Sequence, residues 1–439
     1  MSDYMFRLES HLTGEQFRVV GQVQAVAGKA GVNLYLTGGA MRDVFGGFPA
    51  RGLDFTMEGS PAKLTKLLAK YGGTVVSSDD LKKCIDMKFP GGVKVEIGMA
   101  HTEKFVKPGG APQITPATIH EDLQCRDFTV NAVALSLNKA SLGLIIDPAN
   151  GMGDIERKEL RTINNYSFYD EPARMLRLIR LKVRMAYQID ERTRMQLENA
   201  REAGMLEKIT PQALGEELRH MAGEANAHDL VKALEEEKLL QLFSPALAAG
   251  KVNYASLLRL QKAHQIVPFG IEFKIHPLPL FLETLLEKLN PKERADAMKV
   301  AEITRAEASA MEKLAPAAKK LERTLMSAKL QKASQLYQVL TKTPGEQILH
   351  LAVYSGQRIV QDRIKNYFTK HLPASLEVTN EVVAATGAVL GTPKFQRVKE
   401  EMILTRLDAR PKKVPPPEPP PPPPMSGFAR GAGLRRAQG

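Results

Sequence analysis

Leu36-Thr37-Gly38-Gly39-Ala40-Met41-Arg42-Asp43 runs from a short apolar segment through paired glycines into residues suited to a helix start. Glycines let a backbone come close to phosphate oxygens, and the first amides of a helix attract an anion. Arg42, one turn later, adds a forked donor for the same phosphates. By itself such a turn is most often only a tight connection. The next segment, Arg51-Gly52-Leu53-Asp54-Phe55, reads as the following strand, and residues two apart on a strand share a face. Asp54 is placed to set a carboxylate beside the glycine turn. Glu96, on the polar side of the alternating Val93-Lys94-Val95-Glu96-Ile97, offers a second from an adjacent strand. Acids on one face suit two Mg2+ ions, one activating an attacking hydroxyl and the other holding a triphosphate.

Outward from this point the chain divides by pattern. Up to about Pro148, strand candidates at Leu34-Tyr35-Leu36, Leu53-Asp54-Phe55, Thr74-Val75-Val76, Val93–Ile97 and Val133–Leu137 alternate with helical spacing, as over Pro61–Tyr71. That mixture predicts a sheet with helices packed on it. From Glu171 onward, Met175–Met185, Thr210–Met221, Ala227–Phe243 and Ala317–Leu340 repeat apolar residues at helical intervals. The fold class expected is α+β: a mixed sheet with helices, then an all-helical half. The last segment, Pro411–Gly439, holds the run Pro419–Pro424 between basic residues and cannot bury a core, so it reads as a disordered tail.

A helix is expected after Pro172, which suits a first turn and puts Glu171 at the N-cap. Arg174, Arg177 and Arg180 then share one arc, with Met175, Leu176, Leu178 and Ile179 on the other. Such a helix packs its apolar side and offers guanidinium forks opposite.

Over residues 30–190 these features resemble the class II tRNA nucleotidyltransferases (CCA-adding enzymes) and bacterial poly(A) polymerases. Gly38, Gly39, Arg42 and Asp43 match the family's Gly-Gly-x-x-Arg-Asp motif, and Gly52-Leu53-Asp54 aligns with its Asp-x-Asp metal motif. Cys125-Arg126-Asp127-Phe128-Thr129-Val130-Asn131-Ala132 aligns with Arg-Arg-Asp-Phe-Thr-x-Asn-Ala, and Asp170–Arg177 aligns with Glu-Asp-x-x-Arg-x-x-Arg. Glu103, Lys107-Pro108-Gly109, Glu121-Asp122-Leu123, Asp147-Pro148 and Gly151 also look familial.

The resemblance implies a polymerase-beta-like head over residues 1–150 and a helical nucleotide-reading neck over 151–225. A helical body and tail that meets tRNA would span 226–408, and a disordered Pro-rich tail 409–439. It implies that Asp54 and Glu96 hold Mg2+ and carry catalysis. Gly38, Gly39, Arg42, Arg126, Asp127, Asn131, Glu171, Arg174, Arg177 and Arg180 would bind the nucleotide. Glu171 and Arg174 would read the base in place of a template. The partners implied are tRNA, CTP and ATP. The activity implied is addition of CMP and AMP to tRNA 3′ ends, with A-addition or poly(A) synthesis as the variant sharing these motifs.

Four positions depart from the family. Gly52 stands where the first metal aspartate belongs, with Asp43 or water as the conceivable substitute; a weakened RNA-binding homologue is the alternative it opens. Glu171 replaces an aspartate. His101 and Cys125 stand where arginines are usual, and both are expected to be mostly uncharged at pH 7.

The 439 residues carry a formal net charge of +12, which favours a polyanionic partner. Two cysteines, Cys84 and Cys125, exclude a disulfide framework or a Cys-rich zinc site. No signal-like start or membrane-length apolar run is read, so a cytoplasmic protein is expected. His228-Asp229 reads as helix surface. Lys313, Lys319, Lys320, Arg323, Lys329 and Lys332 are candidates for contact with RNA phosphates.

Overall fold

Two helices precede the first strand in the computed structural model, which describes residues 3–268 and 273–409. The expectation of a disordered tail over Pro411–Gly439 lies outside the described residues. Helix α1 spans Asp3–His11. Helix α2 (Gly14–Ala30) begins at a reciprocal cap, in which Thr13 and Gln16 each accept the other's backbone amide, and ends at Gly31 with φ 67°. Val19, Val20, Val23 and Val26 recur at helical spacing and are buried in the main core.

Strand β1 (Leu34–Leu36) leads into α3 (Gly38–Phe45) and then β2 (Leu53–Met57). After α4 (Ala62–Leu68) come β3 (Thr74–Asp79), β4 (Cys84–Lys88) and β5 (Lys94–Met99). A separate hairpin, β6 (His101–Lys104) with β7 (Gln113–Pro116), precedes α5 (Ile119–Gln124), β8 (Ala134–Ser136) and β9 (Ile145–Ile146). The seven-stranded sheet has the order β3-β4-β5-β2-β1-β8-β9. Its β2–β5 pairing is parallel, and its other pairings are antiparallel. The expected mixed sheet is therefore present, with β4, second from one edge, and β9, at the other edge, as added members.

Alternation sets the two faces. Leu53, Phe55 and Met57 on β2 and Val95, Ile97 and Met99 on β5 are buried in the core. Asp54, Thr56, Lys94 and Glu96 consequently point to the other face. The register pairs Asp54 with Glu96 across β2–β5, and Glu96 with Asp86 across β4–β5. Three carboxylates thus stand in one row across three strands. At the far end of this unit, Asp147 accepts the amides of Gly151 and Met152 and starts α6 (Gly151–Arg157). A Cβ on Gly151 would lie 2.1 Å from the Thr129 carbonyl, so only glycine fits there.

The rest is helical apart from one two-residue parallel pairing, β10 (Glu159–Leu160) with β11 (Gln188–Ile189). Helix α7 (Ser167–Asp170) and α8 (Arg174–Met185) are followed by α9 (Glu191–Glu202), α10 (Pro211–Ala222) and α11 (Ala227–Glu236). Met175, Leu176, Leu178 and Ile179 on α8 are fully buried, as their spacing predicts. Each such burial stabilises by roughly 1.5–3 kcal/mol as an upper figure.

Two expected helices are shorter than read. Ala227–Phe243 breaks at Glu236: Lys238 adopts φ 54°, and the Leu239 amide turns back to the Leu234 carbonyl at 2.7 Å. Ala317–Leu340 belongs to two helices, Arg305–Met326 and Ala333–Thr341, because Ser327 leaves the helix with ψ 132°. No helix among the described residues is long and apolar enough to cross a membrane.

Candidate active site

The glycine turn is built by close approach. Gly38 has φ +60°, a conformation that side-chain-bearing residues rarely adopt. A Cβ on Gly39 would stand 3.0 Å from Asp54 Oδ2 and 3.4 Å from an Arg42 nitrogen. The Asp54 carboxylate comes this close because the Ala40 amide, in the first turn of α3, donates to its Oδ2 at 2.9 Å. Asp54 therefore lies beside Gly39 and Arg42.

Glu96 stands beside it, and the pKa of each carboxylate is raised. Burial is the largest cause at Asp54, opposed by the Ala40 amide and by Arg42. Glu96 is pushed up to about 7 by its crowded surroundings first, then by the charges of Asp54 and Asp86. Glu96 retains contact with solvent, so the energetic weight of this shift is modest. Among the described residues, no lysine or arginine ion-pairs with either acid. Two like charges side by side, offset in part by the nearby Arg42 and Arg126 but ion-paired to neither, are relieved by a divalent cation, so the pair fits one. Among the described residues, no three His, Cys, Asp or Glu side chains gather for a metal. Mg2+ ordinarily takes only one or two carboxylates and completes its shell with phosphates and water.

Asp43 is not available as a substitute for the missing aspartate at Gly52. It is 2% exposed, its Oδ1 accepts Arg42 Nε at 3.1 Å and Nη2 at 2.9 Å, and its Oδ2 accepts Arg184. Arg42 is in turn held by Asn131 Oδ1 at 2.6 Å. The Arg42 fork is thus clasped inside the protein rather than presented open. Arg126 pairs with Asp122 through Nε at 2.9 Å and Nη2 at 2.6 Å, and touches Thr56 Oγ1 at 3.1 Å. Its Nη1 lies 4.0 Å from where a Gly38 Cβ would stand.

The arginines of α8 differ most from the expected open basic face. Helix α8 is capped by Ala173 rather than Glu171, because the Glu171 and Pro172 carbonyls accept in a tight first turn. Arg174 and Arg180 are buried, at 3% and 8% exposure. Arg174 Nε donates to Glu171 Oε2 at 3.0 Å, and its Nη1 donates to Ser167 Oγ at 3.0 Å. Arg177 bonds Asp127 at 3.0 Å, Glu171 at 3.2 Å and Glu217 at 2.9 Å. Arg180 bonds Glu217 at 3.0 Å and Glu224 at 3.3 Å. Glu224 also takes Arg51 at 2.6 Å. Glu171 therefore bridges Arg174 and Arg177, within reach of its extra methylene.

Asp127 Oδ1 accepts its neighbour's amide and Asn131 Nδ2 at 2.8 Å. Burial alone would raise Asp127, but Arg177, Arg174 and Asn131 hold it down to about 2. The motif residues thus form one chain of contacts, Arg42–Asn131–Asp127–Arg177–Glu171–Arg174. Glu217 and Glu224 on and just after α10, Arg184 and Asp86 complete the surroundings without any motif to announce them. A buried glutamate on α10 opposite an arginine-rich helix was the available clue.

His101 is more cationic than expected. Burial favours its neutral form, but bonds to Glu103 and to the Met99 carbonyl, with the nearby charge of Asp122, raise its pKa overall. Cys125 is half-buried and held as a thiol, chiefly by burial. His228 bonds Asp229 at 2.8 Å at the start of α11, where Asp229 is exposed and also held by Gln261. Lys313, Lys319, Lys320 and Arg323 are exposed on the Arg305–Met326 helix, and Lys329 and Lys332 follow it, also exposed.

Residues 34–161 match the family described as Poly A polymerase head domain. The A-adding tRNA nucleotidyltransferase of Halalkalibacterium halodurans is 30% identical over 244 residues, covering 55% of this chain and 55% of that one. The CC-adding tRNA nucleotidyltransferase of Deinococcus radiodurans is 32% identical over 152 residues, covering 35% and 41%. The chain spans about half the length of the curated relatives it matches. A solved CCA-adding enzyme in an apo form has the same fold, with a TM-score of 0.54 at 22% identity over 94% of this chain and 96% of that one. Residues 34–161 thus carry a head domain of the poly A polymerase type, and the chain resembles tRNA nucleotidyltransferases in that part of its sequence and CCA-adding enzymes in its fold.

Proposed function

We propose that the chain is a cytoplasmic enzyme that transfers CMP or AMP from CTP or ATP to the 3′ end of tRNA. The observation that carries this is the Asp54 carboxylate, held on the first turn of α3 against Gly39 with Glu96 at its side. Asp54 and Glu96 would hold Mg2+, which supplies activation of the attacking hydroxyl and neutralises charge on the triphosphate. The 3′-hydroxyl attacks the α-phosphate in line, and pyrophosphate leaves. The glycine turn lets the triphosphate approach the backbone, and Arg126 reaches the same place. Arg42, clasped by Asp43 and Asn131, fixes the turn from beneath and adds positive potential. Asp127 and Asn131 orient the sugar, with Arg177 and Arg180 behind them. Glu171 and Arg174 offer an acceptor and donors to the base edge. Catalysis of this kind rests on positioning and charge stabilisation. Residues 1–150 would form the catalytic head, 151–225 the reading neck and 226–408 the tRNA-holding body and tail, with 409–439 as an appended Pro-rich tail. Both a relative named as A-adding and one named as CC-adding match this chain, so A-addition or poly(A) synthesis by the same site is the variant.

A second reading, a weakened homologue that binds RNA, is favoured by Gly52. Nothing in the backbone demands glycine there: its φ is not positive, and a Cβ would meet only Lys94, at 3.4 Å from the carbonyl. An aspartate would fit. The test is extension of tRNA lacking its 3′ end, with CTP, ATP or both, by the native protein, Gly52→Asp and Asp54→Ala. Robust extension by the native protein, abolished in Asp54→Ala, supports the enzyme. Extension only by Gly52→Asp supports the weakened homologue, and full activity of Asp54→Ala refutes the metal assignment.

A further inference from the structure

The loop joining β3 to β4 reaches across to the base-reading pair, although no motif marks it. Its tip is a fixed turn. Asp79 Oδ1 accepts the amides of Leu81 at 2.8 Å and Lys82 at 3.0 Å. Lys83 follows at φ 49°, and its carbonyl accepts the Met99 amide at 3.1 Å. This turn aims Lys82 away from its own sheet edge. Lys82 Nζ lies 3.0 Å from Glu103 Oε1.

Glu103 is a junction. Its side chain is 9% exposed, and it takes His101 Nε2 at 3.4 Å on the same oxygen as Lys82. Its other oxygen faces the Arg174 guanidinium at 3.8 Å. Burial would raise the Glu103 pKa, but His101, Lys82 and Arg174 bring it down to about 2, so it stays a carboxylate throughout the neutral range. Lys82 also feels the charges of Glu171 and Arg177. Arg174 therefore sits between two carboxylates, Glu171 bonded on one side and Glu103 on the other. A guanidinium held from both sides has its fork direction set before a base arrives, which is what template-free reading requires.

We propose that Lys82 is a specificity-determining positioning residue, which holds Glu103 so that Glu103 fixes the orientation of Arg174. This rests on the reading of Glu171 and Arg174 as the base-reading pair. Without Lys82, the Glu103 carboxylate retains, among the described residues, His101 on that oxygen and is drawn toward Arg174, in competition with Glu171. The donors aimed at the base then turn, and both affinity and discrimination fall while the reacting atoms stay in place.

The test uses the full chain and tRNA lacking its terminal nucleotide, with Lys82→Met, Lys82→Arg, Glu103→Gln and the double variant Lys82→Met/Glu103→Gln. For CTP and ATP separately, KM, kcat and the ratio of kcat/KM are measured, together with direct nucleotide binding and the melting temperature. The Lys82 side chain is 42% exposed on a loop, so these variants should fold. In Lys82→Met, KM for the preferred nucleotide should rise about three- to tenfold and the preference should narrow about as much, with kcat within about twofold. Lys82→Arg should restore both, and adding Lys82→Met to Glu103→Gln should change nothing further. Unchanged KM and preference in Lys82→Met, or effects that multiply in the double variant, would overturn the positioning role while leaving the enzyme reading intact. A native protein that neither binds nor transfers a nucleotide would overturn the enzyme reading, and this inference with it.

Discussion

Replacing Glu217 by alanine removes the carboxylate that joins α8 to α10. Glu217 is 2% exposed and accepts Arg177 Nε at 2.9 Å and Arg180 Nε at 3.0 Å. Each charge-assisted bond is worth about 1.5–3 kcal/mol net. Arg177 keeps Asp127 and Glu171, so it is not orphaned. Arg180 keeps only the longer 3.3 Å contact to Glu224 among its described partners, and its guanidinium is buried. The cost therefore falls mainly on Arg180 and comes to about 3 kcal/mol, the lower end for breaking a buried ion pair. Arg180 and Arg177 hold the Glu217 pKa below its ordinary 4.5 against the opposing effect of burial. A depressed carboxylate stabilises fully above its unfolded pKa, and the contribution is lost as pH falls through the folded value. The gap between native protein and Glu217→Ala should thus be widest near pH 7 and narrow below about pH 4.5. Urea unfolding followed by circular dichroism at both pH values measures it. A gap under about 1 kcal/mol near pH 7, or one that widens on acidification, would refute the view that this network ties the two helices.

Two further outcomes follow from the acidic row and the glycine turn. Gly39→Ala places a methyl 3.0 Å from Asp54 Oδ2, so extension should fall roughly ten- to hundredfold as the carboxylate is displaced; an unchanged rate refutes the close-approach argument. Glu96 is raised to about 7 by its crowded surroundings and by Asp54, so it takes up a proton as pH falls through that value. Apparent Mg2+ affinity should weaken between pH 8 and 6 in the native protein and stay flat in Glu96→Gln, as read by metal-dependent thermal shift. Parallel slopes would be the contrary result.

Much of the fold was legible because its cause is local. Alternation on β2 and β5 fixed which face Asp54 and Glu96 share, and the four buried apolar residues of α8 were readable from spacing alone. Strand β4 was not, since Cys84-Ile85-Asp86-Met87-Lys88 follows a run of charged residues and becomes a strand only by pairing with β3 and β5. The site was legible at its motifs but not in its pairing. Spacing put Arg174, Arg177 and Arg180 on one arc without revealing that Glu217, forty residues from Arg177, covers that arc. The helix break at Lys238 likewise depends on a backbone conformation that composition does not announce.

The central claim is that Asp54 and Glu96 gather a divalent cation beside the glycine turn. Mn2+ binding in the presence of ATP, followed by electron paramagnetic resonance, tests it most directly with Asp54→Asn, whose amide oxygen can still accept the Ala40 N–H and preserve α3. The account predicts a bound ion in the native protein and its loss in Asp54→Asn at an unchanged melting temperature. Undiminished Mn2+ binding by Asp54→Asn would contradict it.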